Sequence, residues 1–433
     1  MALRTHITIL NEGASHYPSN PAFKLPRLDA RSGRVADWIA VTYSQFVQDV
    51  DLYAKHLLDT LNLQAGTTVA VWTGGVRYVD VLHVYGLSRA GYIPQLIAGN
   101  FQDVRTATKL VLASGAGAIL LDSDLEFPSS FPIRTYRMRE VIATTRLEAI
   151  TLEPWSSPRS PDDTAIVYNT AGTSTGSPRL VRCSYRWLDV AIGKAAHIMQ
   201  PRSTIQQDVA VWMGSIANSM QHFLFMGAHV HGSCIIQPTH LDYNSNELID
   251  MIARCQLNRL TLTGSSLSNH LSNSRTNTRL LFLLSSLDDI IYFNSEIPNQ
   301  AEEWARSNGL SIRSVFGNTE CGIMMVSIGG QNPLSHFFQP LPRTSYQFQP
   351  ITPTAQTQYH NINSKLVELV VGSSNTDFPS DPPSISKDGC HHTGDIFIEV
   401  FPNYYAIRGH IGDWITMKDG VREMAYPRSS GSQ

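Results

Sequence analysis

A run of hydroxyl and glycine residues follows an apolar, strand-like segment near the middle of the sequence. Residues 170–179 read TAGTSTGSPR and come directly after the segment TAIVYN. Backbone N–H groups, hydroxyl donors and a terminal arginine suit a bound anion, and a polyphosphate is the natural ligand for so many donors. The alternative is an exposed Ser/Thr/Gly linker. The run also lacks the Gly-Lys-Ser/Thr ending of a P-loop NTPase.

Three later segments carry further groups that nucleotide chemistry uses. They read SVFGNTECG at 314–322, HHTGD at 391–395 and YAIRGHIGDWITMKDG at 405–420. The first joins an aromatic ring, a glycine, a threonine and an acid, and the second places Asp395 after a tight Thr-Gly turn. Each has a structural alternative, because Glu320 could cap a helix, Asp395 could close a hairpin and Phe316 could be a core aromatic residue.

Taken in this order, the segments resemble the core motifs of the adenylate-forming superfamily, which includes acyl-CoA synthetases, nonribosomal peptide adenylation domains and luciferases. The form HTGDIFIEV…Y…RG…GDWI is most similar to the adenylation domains of fungal NRPS-like carboxylic acid reductases. The resemblance covers most of the chain. It implies ATP- and Mg²⁺-dependent activation of a small carboxylic acid to an acyl-adenylate in fungal secondary metabolism, with a phosphopantetheine carrier or coenzyme A as the acyl acceptor.

The resemblance also assigns roles to residues. The phosphate loop, residues 170–179, is implied to contact the ATP phosphates through Thr170, Thr173, Ser174, Thr175, Gly176 and Arg179. The adenine and acyl pocket is implied to be lined by Asn294, Ser295, Glu296, Phe316, Gly317 and Asn318. Thr319 matches the catalytic residue at the α-phosphate, Glu320 the catalytic acid that holds Mg²⁺, and Asp395 the carboxylate that binds the ribose hydroxyls. His410 stands where the family has an arginine near the ribose.

The chemistry explains why such groups are needed. Attack of a carboxylate on the α-phosphate brings two anions together, so the site needs donors, a cation and a metal ion. The sequence departs from the family at Arg179, which replaces a lysine, and at Gly412, where a hinge acid often lies. We also expect the C-terminal lid and its lysine to be missing, because Lys418 is not at that lysine's place. The alternative function is therefore a catalytically impaired homologue that binds nucleotide or assists a partner synthetase.

Alternating strand and helix patterns position these segments. Helices are predicted over 41–61, 81–91 and 104–115, and strands over 67–75, 116–124 and 164–170. A second alternating stretch includes strands at 233–239, 259–266 and 288–296 and helices at 246–255 and 300–309. After Gly330 the pattern changes to short antiparallel strands.

The predicted fold class is α/β: two layered α/β subdomains plus a small distorted β-barrel, lacking the C-terminal lid. The predicted units are 1–160, 161–330 with the phosphate loop, 331–409 for the small β subdomain, and 410–433 for a hinge remnant and tail.

Composition excludes several other classes. The chain has 433 residues and a net charge of -3, which gives no electrostatic case for nucleic acid as a partner. No apolar run is long enough for a signal peptide or a membrane span, so we expect no membrane partner and a cytoplasmic location. The five scattered cysteines are typical of reduced thiols. The CHH run at 390–392 is not expected to bind zinc. His222 is a candidate pocket residue by proximity, but its apolar surroundings favour a core histidine.

Overall fold

Two large β-sheets, assembled from strands far apart in the sequence, organise the protein. The computed structural model describes residues 3–99, 104–123, 131–154, 160–170, 178–203, 205–293, 296–330, 332–351, 366–380, 386–411, 414–416 and 422–424. The helices are α1 His6–His16, α2 Tyr43–Leu61, α3 Tyr78–Arg89, α4 Val104–Ser114, α5 Thr145–Glu148, α6 Tyr185–Ile198, α7 Ser219–Val230, α8 Ser245–Cys255, α9 Gly264–Ser274, α10 Thr278–Ser285 and α11 Asn299–Ser307.

The strands alternate with these helices in the first three quarters of the chain and then follow one another directly. The first twelve are β1 Pro21–Leu28, β2 Val35–Thr42, β3 Thr68–Thr73, β4 Ile93–Ala98, β5 Ala118–Leu121, β6 Arg134–Arg137, β7 Thr164–Asn169, β8 Leu180–Ser184, β9 Val209–Val211, β10 Cys234–Ile236, β11 Arg259–Thr263 and β12 Asp289–Phe293. The others are β13 Ile312–Asn318, β14 Gly322–Ser327, β15 Phe338–Pro340, β16 Gln347–Pro350, β17 Leu366–Gly372, β18 Cys390–Phe401, β19 Tyr404–His410, β20 Trp414–Thr416 and β21 Arg422–Met424.

The smaller sheet contains six strands in the order β6-β5-β3-β4-β7-β8. All neighbours are parallel except β7 and β8, which form an antiparallel pair around the phosphate loop. Both faces of this sheet are covered: Val69 and Val71 of β3 pack into the large core with α2 and α3, whereas Ala70 and Trp72 pack against α4. This alternation is the pattern expected of a parallel sheet buried on both sides.

The larger sheet contains thirteen strands in the order β16-β17-β18-β19-β15-β14-β13-β12-β11-β9-β10-β1-β2. Its middle, from β13 to β1, is parallel, and antiparallel strands extend it at both ends. One face packs with α1, α2, α3, α6 and α7 in the core that separates the two sheets, and the other packs with α8 to α11. The predicted α/β architecture of two layers is confirmed.

Local signals explain where the elements begin and end. The helix predicted over 41–61 begins after Thr42, whose side chain accepts a hydrogen bond from the Gln45 N–H in a capping box. The strand predicted over 259–266 is too long. It ends at Thr263, because the Thr263 side chain accepts from the Ser266 N–H and caps α9.

The C-terminal β region corrects the prediction of a small distorted barrel. Strands β14 to β19 pair antiparallel and continue the large sheet. In the part of the chain that the structure describes, no pairing joins β16 back to another strand to close a barrel. Beyond this sheet, β20 and β21 form a separate two-stranded pair.

The sheets exchange strands along the chain. Strands β1 and β2 belong to the large sheet, although the helices and strands that follow them build the small one, and β7 and β8 lie beyond residue 160 but complete the small sheet. The predicted unit boundaries stay a prediction. Among the described helices, none combines the length and the apolar character needed to cross a bilayer.

Candidate functional site

The end of β13 and the turn that leads into β14 carry four consecutive residues of the predicted site, 317–320. Asn318 and Gly322 pair across this turn, and Asn318 Oδ1 accepts a hydrogen bond of 2.8 Å from the Cys321 N–H. A Cβ atom on Gly317 would lie 2.4 Å from the Gly322 carbonyl oxygen, so only glycine allows the two strands to approach this closely. The closed turn therefore fixes the backbone from which Thr319 and Glu320 project.

The hairpin of β18 and β19 supplies the second part of the site. Its register places Asp395 directly opposite His410. The Asp395 N–H donates to Thr393 Oγ1 at 3.0 Å, and His410 Nε2 lies 3.2 Å from the Thr393 carbonyl oxygen. Between them, Gly394 has φ +77, and a Cβ atom there would lie 2.4 Å from His410 Nε2. Thr393 and Gly394 therefore lie within β18 and not in the tight turn predicted from the sequence, and the missing side chain at Gly394 leaves room for the His410 imidazole.

The turn after β13 and the β18–β19 hairpin lie close together, because Asn318 and Glu320 both act on the Asp395 carboxyl. Asp395 as a residue is half-buried, but its carboxyl is enclosed, and this burial raises its pKa to about 6. The charge of Glu320 adds to the rise, whereas the His410 charge and hydrogen bonds from Thr393 and Asn318 oppose it. Asn318, Glu320, Asp395 and His410 therefore lie together.

Arg179 reaches the same place from the small sheet. The Thr170 N–H donates to the Arg179 carbonyl oxygen at 2.9 Å, and the Arg179 N–H donates back to Thr170 Oγ1 at 3.0 Å. These bonds close the base of the phosphate loop. The Arg179 Nη2 lies 3.4 Å from Glu320 Oε1, which joins the two sheets by an ion pair. Arg179, Asn318, Glu320, Asp395 and His410 are called the polar cluster below.

Phe316 lies at the edge of the polar cluster. Its ring is half-buried and meets the Phe397 ring edge-on, with centroids 5.1 Å apart and planes at 89°. Phe338 packs on it at 6.2 Å. A partly exposed aromatic ring held at its edges is suited to contact a planar base.

Thr319 receives support from helix α7. The Ser219 Oγ, at the first residue of that helix, lies 3.3 Å from Thr319 Oγ1. Ser219 was not identified from the sequence, because its segment shows no recognisable motif. Three residues further along, His222 is fully buried and its Nδ1 lies 2.8 Å from the Tyr168 hydroxyl, so its interpretation as a core residue is confirmed.

For the other predicted site residues, no contact with the polar cluster is described. Glu296 is exposed, and its charge raises the pKa of Glu302, whose own burial is the larger cause. Six predicted site residues lie outside the described part of the chain: Thr173, Ser174, Thr175, Gly176, Asn294 and Ser295.

Sequence reasoning also missed Lys194. This lysine lies in the apolar face of α6, yet its Nζ donates to the Cys321 carbonyl oxygen at 2.6 Å, one residue beyond Glu320. The available signal was a single lysine within the run VAIGKAAHI, where every other inward position is apolar.

The groups of the polar cluster fit a nucleotide and Mg²⁺. In nucleotide sites Mg²⁺ is held by one or two carboxylates together with phosphate oxygens and waters, and Glu320 supplies such a carboxylate. Arg179 Nε is buried and has no hydrogen-bond partner among the described residues, so its N–H is an unsatisfied donor beside the phosphate loop. The described part of the chain contains no group of three His, Cys, Asp or Glu side chains placed to hold a metal ion.

Comparison with known proteins identifies a family and a relative that this chain is similar to. Residues 10–348 match the family described as AMP-binding enzyme. The AMP-binding domain-containing enzyme iboA of Amanita muscaria (strain Koide BX008) is 29% identical over 427 residues, which make up 96% of this chain and 81% of that protein.

Solved structures share the fold. O-succinylbenzoate coenzyme A synthetase (MenE) from Bacillus subtilis, solved with ATP and magnesium ion, superposes with a TM-score of 0.72 at 15% identity, covering 96% of this chain and 81% of that one. The nonribosomal peptide synthetase FmoA3 gives a TM-score of 0.71 at 16% identity, covering 95% of this chain. This chain spans 43% of FmoA3, less than half of its length.

Proposed function

The chain belongs to the AMP-binding enzyme family, and on that premise we propose that it activates a small carboxylic acid with ATP and Mg²⁺ to form an acyl-adenylate. The observation that carries the proposal is the meeting of Arg179, Glu320 and Asp395, which come from three separate segments and two sheets. A core fold alone would not need a cation and two acids gathered at one half-buried place.

Four members of the polar cluster, together with Phe316 and Gly317, have a part in this proposal. The Asp395 carboxylate accepts hydrogen bonds from the ribose hydroxyls, while Phe316 and the backbone of Gly317 and Asn318 border the adenine. Glu320 holds Mg²⁺, which neutralises phosphate charge when it is bound. Arg179 and the rest of the phosphate loop bind the β- and γ-phosphates.

The reaction follows from this placement. A carboxylate oxygen of the substrate attacks the α-phosphorus, the bond from that phosphorus to the bridging oxygen breaks, and pyrophosphate leaves with the electron pair. No proton transfer is required in this step. The protein contributes by aligning the two anions and by offsetting their charge, and in this proposal Thr319 donates to an α-phosphate oxygen.

The metabolic role and the acyl acceptor are also part of the proposal. The likeness to iboA of Amanita muscaria, at 29% identity across most of both chains, supports a fungal context, and the role in secondary metabolism is proposed from the resemblance of the motifs. The solved relatives, a coenzyme A synthetase and a peptide synthetase, support a thiol acceptor, either coenzyme A or a phosphopantetheine carrier. The cytoplasmic location stays a prediction.

A second function is favoured by one contact. The Arg179 guanidinium already pairs with Glu320, so the proposed metal carboxylate has an internal counter-ion. A chain in which that pair persists would bind nucleotide without turnover and act as an impaired homologue or an assistant to a partner synthetase.

Pyrophosphate release separates the two functions. We propose to incubate the purified chain with ATP, Mg²⁺ and a panel of aryl, keto and fatty acids. Acid-dependent release that disappears in Asp395→Ala and Glu320→Ala, but persists in the exposed control Asp388→Ala, supports activation. ATP binding without release, even with a partner's lid domain added, supports the impaired homologue. Unchanged ATP affinity in both site variants contradicts the assignment of the site.

A further inference from the structure

A buried lysine holds the turn that carries Glu320. Lys194 is 7% exposed and lies in the middle of α6, with apolar Ala191, Ile192 and Ala195 on the same buried face. Its Nζ donates to the Cys321 carbonyl oxygen at 2.6 Å, to Asp377 Oδ2 at 2.7 Å and towards the Tyr346 hydroxyl at 3.4 Å. An ammonium has three donors, so all of them are used.

Burying the charges of Lys194 and Asp377 costs free energy, although it joins α6 to the turn before β14. Asp377 is 1% exposed, and its Oδ1 has no hydrogen-bond partner among the described residues. Burial lowers the pKa of Lys194, although the Asp377 charge opposes that change. A buried ion pair is often no more stabilising than apolar side chains of similar volume, so stability alone does not account for it.

The position of the acceptor suggests what the pair contributes. The peptide units on both sides of Cys321 are anchored: the Cys321 N–H donates to Asn318 Oδ1 at 2.8 Å, and its carbonyl oxygen accepts from Lys194. Glu320 directly precedes this residue, and Gly322 directly follows it with φ +70. The backbone that carries Glu320 is therefore fixed from the side of α6.

We infer that Lys194 is a positioning residue for Glu320 and Thr319, acting through the Cys321 carbonyl with Asp377 and Tyr346 as its supports. The inference rests on the proposed function, because the consequence concerns the metal carboxylate. Residues that orient a metal ligand typically change metal affinity by about 10- to 100-fold when they are removed. Loss of Lys194 therefore raises the Mg²⁺ requirement rather than acting on stability alone.

The test compares three variants. Lys194→Met removes the anchor, and Lys194→Met/Asp377→Asn removes both charges while keeping an acceptor for the Tyr346 hydroxyl, so it stays testable if the single variant fails to fold. The matched control is Lys24→Met, because the Lys24 Nζ donates to the Cys255 carbonyl oxygen at 2.7 Å in a different part of the large sheet. The control removes the same kind of bond away from the polar cluster.

Two readouts keep the inference distinct from the proposed function. The first is hydrogen exchange of the peptide 316–324 without nucleotide, where both Lys194 variants should exchange faster than the parent and Lys24→Met should not. The second is the Mg²⁺ concentration that gives half-maximal pyrophosphate release, which should rise about tenfold in the Lys194 variants only.

Each outcome decides something. Parent-like exchange and a parent-like Mg²⁺ requirement in a folded Lys194 variant overturn the inference. Faster exchange with an unchanged Mg²⁺ requirement overturns the positioning of Glu320 and leaves only a structural anchor. A parent chain that neither binds ATP nor releases pyrophosphate overturns the proposed function, and the exchange measurement then still decides whether Lys194 holds the turn.

Discussion

At the scale of single residues, Asp395 combines a binding role with an electrostatic cost. Burial raises its pKa to about 6, above the ordinary aspartate value of 3.8. The folded state therefore binds the proton more tightly than the unfolded state. The stability that Asp395 contributes falls as the pH rises from 3.8 to about 6. Above that range the protein bears the full free-energy cost of a buried, ionised carboxylate.

This sign leads to a prediction for Asp395→Asn. The neutral amide removes the cost of a buried charge, so the midpoint of thermal unfolding should rise by roughly 2–4 °C at pH 8 and by less at pH 5. ATP affinity should fall, because an amide offers one acceptor where the carboxylate offers two. Thermal scans at both pH values and calorimetric ATP titration measure the two effects.

The control for this prediction is Asp388→Asn. Asp388 is exposed, and hydrogen bonds from His392 and the Cys390 N–H lower its pKa, so it should show no gain at pH 8. A lower unfolding midpoint for Asp395→Asn at pH 8, or unchanged ATP affinity, would contradict the account of this residue.

At the scale of elements, the β18–β19 hairpin depends on one glycine. Gly394 and Gly389 have nearly the same backbone angle, φ +77 and +75, but a Cβ atom at Gly394 meets the His410 ring, whereas Gly389 faces open space. Both alanine variants should pay about 1 kcal/mol for the left-handed backbone. Gly394→Ala should lose more stability and also weaken ATP binding, because it displaces His410 and the stretch of β18 before Asp395.

Urea unfolding and ATP titration of the two glycine variants measure this difference. Equal losses in Gly394→Ala and Gly389→Ala, with equal ATP affinity, would show that the contact between Gly394 and His410 has no role in holding the site.

The elements also show what the sequence could and could not predict. The order of the motifs predicted that Asn318, Glu320 and Asp395 belong to one site, and strand–helix alternation predicted both α/β layers. The facing of Asp395 and His410 depends on hairpin register, which no single segment specifies. The anchoring of Cys321 by Lys194 depends on packing between residues 127 positions apart, so local patterns contain little trace of it.

At the scale of the whole molecule, three histidines in the core make the fold sensitive to acid. His6, His222 and His229 are at most 2% exposed, and burial lowers the pKa of His6 and of His229 to about 3 and that of His222 well below its ordinary value. The unfolded chain takes up these protons near pH 6.5 while the folded chain does not. The stability that these neutral histidines contribute is therefore fully present above pH 6.5 and is lost as the pH falls towards 3.

We accordingly predict a steep loss of stability between pH 6.5 and 4. Each such histidine adds up to about 1.4 kcal/mol per pH unit to the slope of the unfolding free energy against pH. His229→Leu should therefore lower that slope below pH 6.5 by about this amount. Urea unfolding at pH 7, 6 and 5 measures the slope, with the exposed His16→Gln as the control. If the free energy of unfolding falls equally steeply with decreasing pH in His229→Leu and in the parent, the explanation is refuted.

The most direct measurement of the central claim is a crystal structure of the chain grown with ATP and Mg²⁺. The account predicts the ribose hydroxyls within hydrogen-bond distance of the Asp395 carboxylate, the adenine beside residues 316–318 and the metal ion on Glu320. Density for the nucleotide away from the polar cluster, or none at saturating ATP, would contradict it.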